Sequence, residues 1–244
     1  MSIPAAGAPV PARVRELAAG ATLEPVWRNE LGGVTFRAEG RDGIRFIKHG
    51  PKNLETTSAG EAERLSWARE YTPVPRVVGA GADETHEWLV TVALPGASAV
   101  APRWVRDPAT AVRAIGRGLR AFHDRMPVAQ CPFDWRVSAR TAAAEVRGIR
   151  VPDDLRVPPA EDRLVVCHGD ACAPNTLIAD DGSWAGHVDL GALGVGDLWA
   201  DLAVAAMSTV WNYGPGWEEA VVDAYGVPMD AERMTYYQRL WNAT

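Results

Sequence analysis

Short stretches of alternating apolar and polar residues fill the first third of the chain, and longer stretches with a helical repeat fill the rest. Residues 22–29, 34–38 and 44–48 read as strands separated by glycine-bearing turns, which is the signature of a meander. Residues 74–78 and 88–92 add two further strands before Pro95-Gly96 breaks the pattern. A short helix over 12–19 precedes the first strand. A second, over 60–69, places Glu61, Leu65 and Ala68 on one face at i, i+4 and i+7. Downstream, Asp107-Pro108 is a cap followed by a first-turn proline, and Val112, Ile115, Leu119 and Phe122 mark the apolar face of a helix to about Arg125. Residues 137–147, 197–209 and 217–225 read as further helices, and Asp230 caps a last one through Trp241. Between them, residues 164–167 form an apolar strand. Residues 175–178 and 184–190 pair across the turn Asp180-Asp181-Gly182 as a hairpin, which would leave Asp170 and Asp189 at nearby ends of adjacent strands.

This order, strands first and helices after, predicts an α+β chain of two lobes. A length of 244 residues with 47% hydrophobic content is enough to bury a substantial core. The net charge of −6 opposes a nucleic-acid-binding surface and favours a cationic small molecule. Three cysteines without a C-x-x-C pair indicate neither a disulfide framework nor a structural zinc site, and fit a reducing cytoplasm. Residues 1–20 lack the basic start and unbroken apolar stretch of a signal peptide, and no segment is long enough to span a bilayer. A soluble cytoplasmic protein is expected, without membrane or nucleic-acid partners, as a monomer or weak dimer.

The chemistry is concentrated in His168-Gly169-Asp170-Ala171-Cys172-Ala173-Pro174-Asn175 and in Val188-Asp189-Leu190-Gly191. A carboxylate, a carboxamide five residues on and a second carboxylate on a following strand suit phosphoryl transfer. That reaction asks the protein mainly to orient the acceptor hydroxyl and neutralise phosphates. Asp170 is the candidate orienter or base, and Asn175 and Asp189 are the candidate magnesium ligands, since Mg²⁺ takes hard oxygen donors. The same residues admit a rival, because His168-Gly169-Asp170 and His187-Val188-Asp189 are both H-x-D, a ligand pattern of hydrolytic metal centres. In 44–48 the strand alternation places Lys48 with Ile44 and Phe46. A strand lysine there would hold ATP phosphates, paired with Glu61 or, alternatively, Glu63. Gly32 and Gly33 would let backbone approach the phosphates, and the backbone of Val92 and Ala93 could bond an adenine edge. Of Asp197 and Asp201, on one helix face, one would brace the catalytic loop and the other face solvent; His123, near the end of its helix, reads as a capping or surface residue.

With these residues in place, the chain resembles the aminoglycoside phosphotransferases, most closely the 3′-phosphotransferases of the kanamycin and neomycin class. The resemblance is carried by Gly60 to Trp67, Val74-Pro75-Arg76-Val77-Val78, Cys131-Pro132-Phe133-Asp134, the 168–175 loop, Asp189-Leu190-Gly191 and Met234 to Leu240. It implies a bilobal protein-kinase-like fold with a small antiparallel-sheet N-lobe (1–93) and a mainly helical C-lobe (94–244). It further implies ATP, with GTP as the alternative nucleotide, and Mg²⁺ as cofactors, and phosphorylation of an aminoglycoside hydroxyl that confers resistance. Asp153, Asp154, Glu161 and Asp162 occupy the segment corresponding to the family's substrate loop and are the candidate partners of the acceptor's ammonium groups. The sequence departs from the family at Ala192, where arginine is common, and in ending Trp241-Asn242-Ala243-Thr244 rather than in an acidic aromatic tail. The same chemistry on another cationic or hydroxylated molecule, and nucleotide binding without turnover, are the alternatives.

Overall fold

A computed structural model describes residues 9–244; the first eight of residues 1–20, read for a signal peptide, lie outside the described residues. The chain divides into two compact units, Met1–Glu70 with Pro75–Leu94, and Tyr71–Val74 with Pro95–Thr244.

The first unit is a five-stranded antiparallel sheet in the order β1-β2-β3-β5-β4, built from β1 (Thr22–Arg28), β2 (Val34–Gly40), β3 (Gly43–Pro51), β4 (Val77–Ala82) and β5 (His86–Val92). Alternation in β3 sends Ile47 to one face and Lys48 to the other. On the Ile47 face, Phe36, Ile47 and Val90 stand opposite one another across β2, β3 and β5. They pack with Val14 and Ala18 of α1 (Ala12–Ala18). Helix α2 (Ser58–Ala68) packs on β4 and β5. Its start is fixed by Thr57, whose side chain accepts from Gly60 N, and its buried stripe is Glu61, Leu65 and Ala68. A glutamate in an otherwise apolar stripe needs a cationic partner nearby.

The second unit is mainly helical: α3 (Pro102–Val105), α4 (Pro108–Arg125), α5 (Val137–Val146), α6 (Leu198–Tyr213), α7 (Glu218–Tyr225) and α8 (Ala231–Ala243). Helix α6 is buried on almost every side from Leu198 to Thr209, which its run of alanine, leucine and valine permits. Helices α4 and α7 approach closely because Gly116 has no side chain; a Cβ there would stand 2.5 Å from Val221 O. Two small sheets carry the loops of interest. Strands β6 (Ala97–Ser98), β8 (Thr176–Ile178) and β9 (Trp184–His187) form one, and β7 (Leu164–Cys167) pairs antiparallel with β10 (Gly194–Asp197) in the other.

The expected hairpin is β8–β9, closed through Asp181 and Gly182. The strand that delivers Asp170 is not next to the strand that delivers Asp189, however: β7 takes β10 as its partner. The apolar pattern of 164–167 suits either neighbour, and only tertiary packing chooses. No helix among the described residues is long and apolar enough to cross a membrane.

Candidate active site

Strand β7 ends at Cys167, and the loop after it is pinned by one buried carboxylate from α6. Asp201 accepts from His168 N at 2.6 Å and, through its other oxygen, from Gly169 N at 3.0 Å. Its Oδ2 also accepts from His123 Nε2 at 3.0 Å, and His123 Nδ1 meets the Tyr225 hydroxyl at 2.8 Å. Burial alone would raise the Asp201 carboxyl, yet the bond and charge of His123, with the His168 ring and amide, hold it below the ordinary range. His123 is therefore no surface residue; it is 3% exposed and spans α6 and α7. Asp197 departs from expectation as well. It is 5% exposed, caps α6 by accepting from Trp199 N, and is pushed up by burial.

The His168 ring ties this loop to the segment just past β9. Nδ1 accepts from Asp170 N, so Nε2 carries the proton and donates to Val188 O at 3.0 Å. Gly169, at φ +86°, has Ala192 O against the position a Cβ would take, at 2.2 Å. The loop thus rests directly on the turn that follows Asp189. Asp189 itself has φ +66°, a left-handed conformation that costs a non-glycine residue strain and is held by its surroundings.

After Asp170 the chain makes a 3-10 turn over Ala173–Asn175, with Pro174 inside it. Asn175 reaches back, and its Nδ2 donates to both the carbonyl and Oδ2 of Asp170 at 3.0 Å. Both amide protons being used there, Oδ1 is the atom left over. Asp170 Oδ1 is buried with no ordinary hydrogen-bond partner, the thiol of Cys172 acting only as a weak donor. Burial, then the Asp189 carboxylate, push the Asp170 carboxyl upward. Asp170, Asn175 and Asp189 are thus gathered in one place, with an amide oxygen and carboxylate oxygens to offer. His187 is not part of it. Its ring packs against Phe122, His168 and Trp184, and burial drives its pKa well down. Among the described residues no group of three or more His, Cys, Asp or Glu side chains gathers as a metal cage.

In the first unit, Lys48 Nζ bridges both carboxylate oxygens of Glu61, at 2.7 and 2.9 Å. Glu61 is buried and Lys48 one-third exposed, so the ammonium sits at the rim of the buried surface. At the other nucleotide candidates the backbone N–H groups are engaged within the first unit. Gly33 N is held by Asn29 Oδ1 at 2.7 Å and Gly32 N by Asn29 O, so the β1–β2 turn uses both amides internally. Val92 N donates to Arg76 O and Ala93 N to Ile44 O, so neither amide is free to bond an adenine nitrogen.

The four acids expected around the acceptor do not converge. Asp153 lies near Arg156 in its own turn, Asp154 pairs with Arg239 of α8 at 2.5 Å, and Asp162 accepts from Trp199 Nε1 at 2.9 Å. Glu161 is exposed. Asp162 also stands before the start of β7, at the end of that strand away from the Asp170 loop. The segment is docked on α8 instead, where Tyr236 donates to Leu155 O and Arg233 to Ala160 O.

Residues 32–237 match the model of a family described as the phosphotransferase enzyme family. The chain belongs to this family. It is 38% identical over 225 residues to an aminoglycoside 3′-phosphotransferase of Streptomyces fradiae, covering 80% of this chain and 83% of the relative. Among solved structures, it is similar to an aminoglycoside-3′-phosphotransferase of type VIII, with a TM-score of 0.75, 30% identity and coverage of 95% and 97%. It is also similar to an aminoglycoside phosphotransferase of Streptomyces rimosus in complex with ADP and streptomycin, with a TM-score of 0.67, 26% identity and coverage of 91% and 93%. Within this kinase family's site, Asp201 is the one of the two helix acids that braces the loop, as its spacing allowed, whereas His123 escaped the sequence reading, since it lies 78 positions away and meets Asp201 only through the packing of α4 on α6.

Proposed function

We propose that the protein is an ATP-dependent phosphotransferase that phosphorylates a hydroxyl of an aminoglycoside antibiotic and so confers resistance. The geometric support is the clasp of Asn175 on Asp170, which fixes the carboxylate with the amide nitrogen and leaves the amide oxygen out of the clasp. The support for the acceptor is the similarity to aminoglycoside phosphotransferases over most of the chain. In the reaction, Asp170 orients the acceptor hydroxyl and takes its proton as the oxygen attacks. The new bond joins that oxygen to the γ-phosphorus, and the bond from γ-phosphorus to the bridging oxygen breaks to leave ADP. Burial and Asp189 make Asp170 a stronger base than an exposed carboxylate, which suits proton acceptance. Asn175 Oδ1 and the Asp189 carboxylate are the hard donors that would hold Mg²⁺, which when bound neutralises charge on the phosphates. Lys48, positioned by Glu61, would hold the α- and β-phosphates. A phosphate set among the acceptor's ammonium groups weakens attraction to anionic RNA, which accounts for resistance.

The test is magnesium-dependent ADP release with kanamycin, neomycin and streptomycin, for the wild type and for Asp170→Ala. Turnover with at least one of them is expected. Asp170→Ala should lose at least about 100-fold in kcat while the ATP KM stays within a few-fold. Turnover confined to amino alcohols or basic peptides would move the acceptor to another class, and near-normal kcat in the variant would refute the role of Asp170.

A further inference from the structure

The acids of residues 153–162 are occupied or remote, so an acceptor bound by the second unit needs another wall. Helix α6 supplies one at its C-terminal end. Ser208 Oγ accepts from Ala173 N at 2.8 Å, which fastens the helix to the turn carrying Asn175. One turn further on, Trp211 and Asn212 flank the direction of Ser208, because residues three and four apart share a helix face. Up to Thr209 the helix is buried almost all round; at Trp211 it emerges, and that indole is 55% exposed. Asn212 is held in a defined orientation, its Nδ2 donating to Ser208 O at 2.8 Å and to Ser208 Oγ at 3.1 Å, so Oδ1 is the atom it presents. An exposed tryptophan and a fixed carboxamide, consecutive in sequence on either side of the direction of Ser208 and one helical turn past its tie to the Asn175 turn, are the chemistry that receives a cation on a ring. The indole face attracts an ammonium group, and the amide oxygen accepts from an ammonium or hydroxyl.

We infer that Trp211, with Asn212, is the specificity-determining wall of the acceptor site and receives an ammonium-bearing ring of the aminoglycoside. This rests on the function proposed above. It makes recognition aromatic where a cluster of carboxylates was expected, and so less dependent on salt, since a cation held against a ring face at contact distance is screened less than distant charges.

The measurement is steady-state kinetics of ADP release with kanamycin, neomycin and streptomycin, for wild type, Trp211→Ala and Trp211→Phe, with melting temperatures alongside. Trp211 is on the surface, so both variants should melt as the wild type does. Trp211→Ala should raise the acceptor KM about tenfold and leave the ATP KM unchanged, and Trp211→Phe, which keeps a ring, should recover most of that loss. A wild-type acceptor KM in Trp211→Ala would overturn the wall and leave the proposed function standing. A rise in KM that phenylalanine fails to reduce would overturn the aromatic basis. A wild-type enzyme that releases no ADP with any aminoglycoside would overturn the function and, with it, the stated occupant of the wall.

Discussion

At the scale of single residues, Asp201 is the buried group that holds the loop carrying Asp170. It accepts from two consecutive backbone amides of that loop and from His123, in a place without solvent. A neutral amide there would have to turn an N–H toward one of those donors and leave it unsatisfied. Asp201→Asn is therefore expected to destabilise the protein by about 3 kcal/mol at neutral pH and to lower kcat more than it raises either KM. The carboxyl is held below its ordinary range in the folded protein, so its contribution is fully present above the unfolded carboxyl pKa of about 3.9. That contribution is lost as pH falls through the folded value. Urea unfolding between pH 7 and pH 3 should show the wild type losing stability toward acid more steeply than Asp201→Asn, so that the gap between them narrows. A gap that stayed constant across that range would show that the Asp201 charge does not stabilise the fold.

At the scale of elements, the site is a meeting of loops from two different sheets. The β7 loop brings Asp170, the β9 end brings Asp189, and Gly169 lies flat on Ala192 between them. Gly169→Ala would add a Cβ where a carbonyl oxygen stands, at a left-handed φ. The strain alone costs about 1–3 kcal/mol, and the loop must lift from the Asp189 turn. A lower melting temperature and a fall in kcat of tenfold or more are expected, with the ATP KM less affected; unchanged kcat would mean that the contact does not set the loop. The sequence was informative wherever a local rule decides the outcome. Strand alternation put Lys48 opposite Ile47, and helical spacing put Glu61 on the buried stripe of α2, which is why that pair could be read without coordinates. The β8–β9 hairpin followed from its turn residues. The choice of β10 over β9 as the partner of β7, the burial of Asp197 and His123, and the docking of residues 153–162 on α8 were not legible. Each depends on which distant surface happens to cover a residue, and composition and spacing are silent on that. Gly32 and Gly33 were legible only as glycine; that Asn29 uses up their amides is a property of the turn's geometry.

At the scale of the whole molecule, the net charge of −6 attracts a polycationic acceptor from a distance, while the contacts at the site decide how tightly it is held. The acids of residues 153–162 belong to the first effect. Asp154 and Asp162 are spent on Arg239 and Trp199, and Asp153 and Glu161 are exposed, where ion pairs and long-range attraction are weak and screened within about 10 Å at ordinary salt. A variant with Asn at 153, 154 and 162 and Gln at 161 should therefore raise the acceptor KM by less than about threefold at low salt, a change that salt near 0.15 M should remove. Its melting temperature should fall a few degrees, because the segment loses its ties to α6 and α8. The comparison with Trp211→Ala separates the two scales, since loss of a contact at the site persists in salt and loss of distant charge does not. An acceptor KM raised tenfold or more in the four-acid variant, and still raised at 0.15 M salt, would return those acids to the acceptor site and require the segment to leave α8 when the acceptor binds.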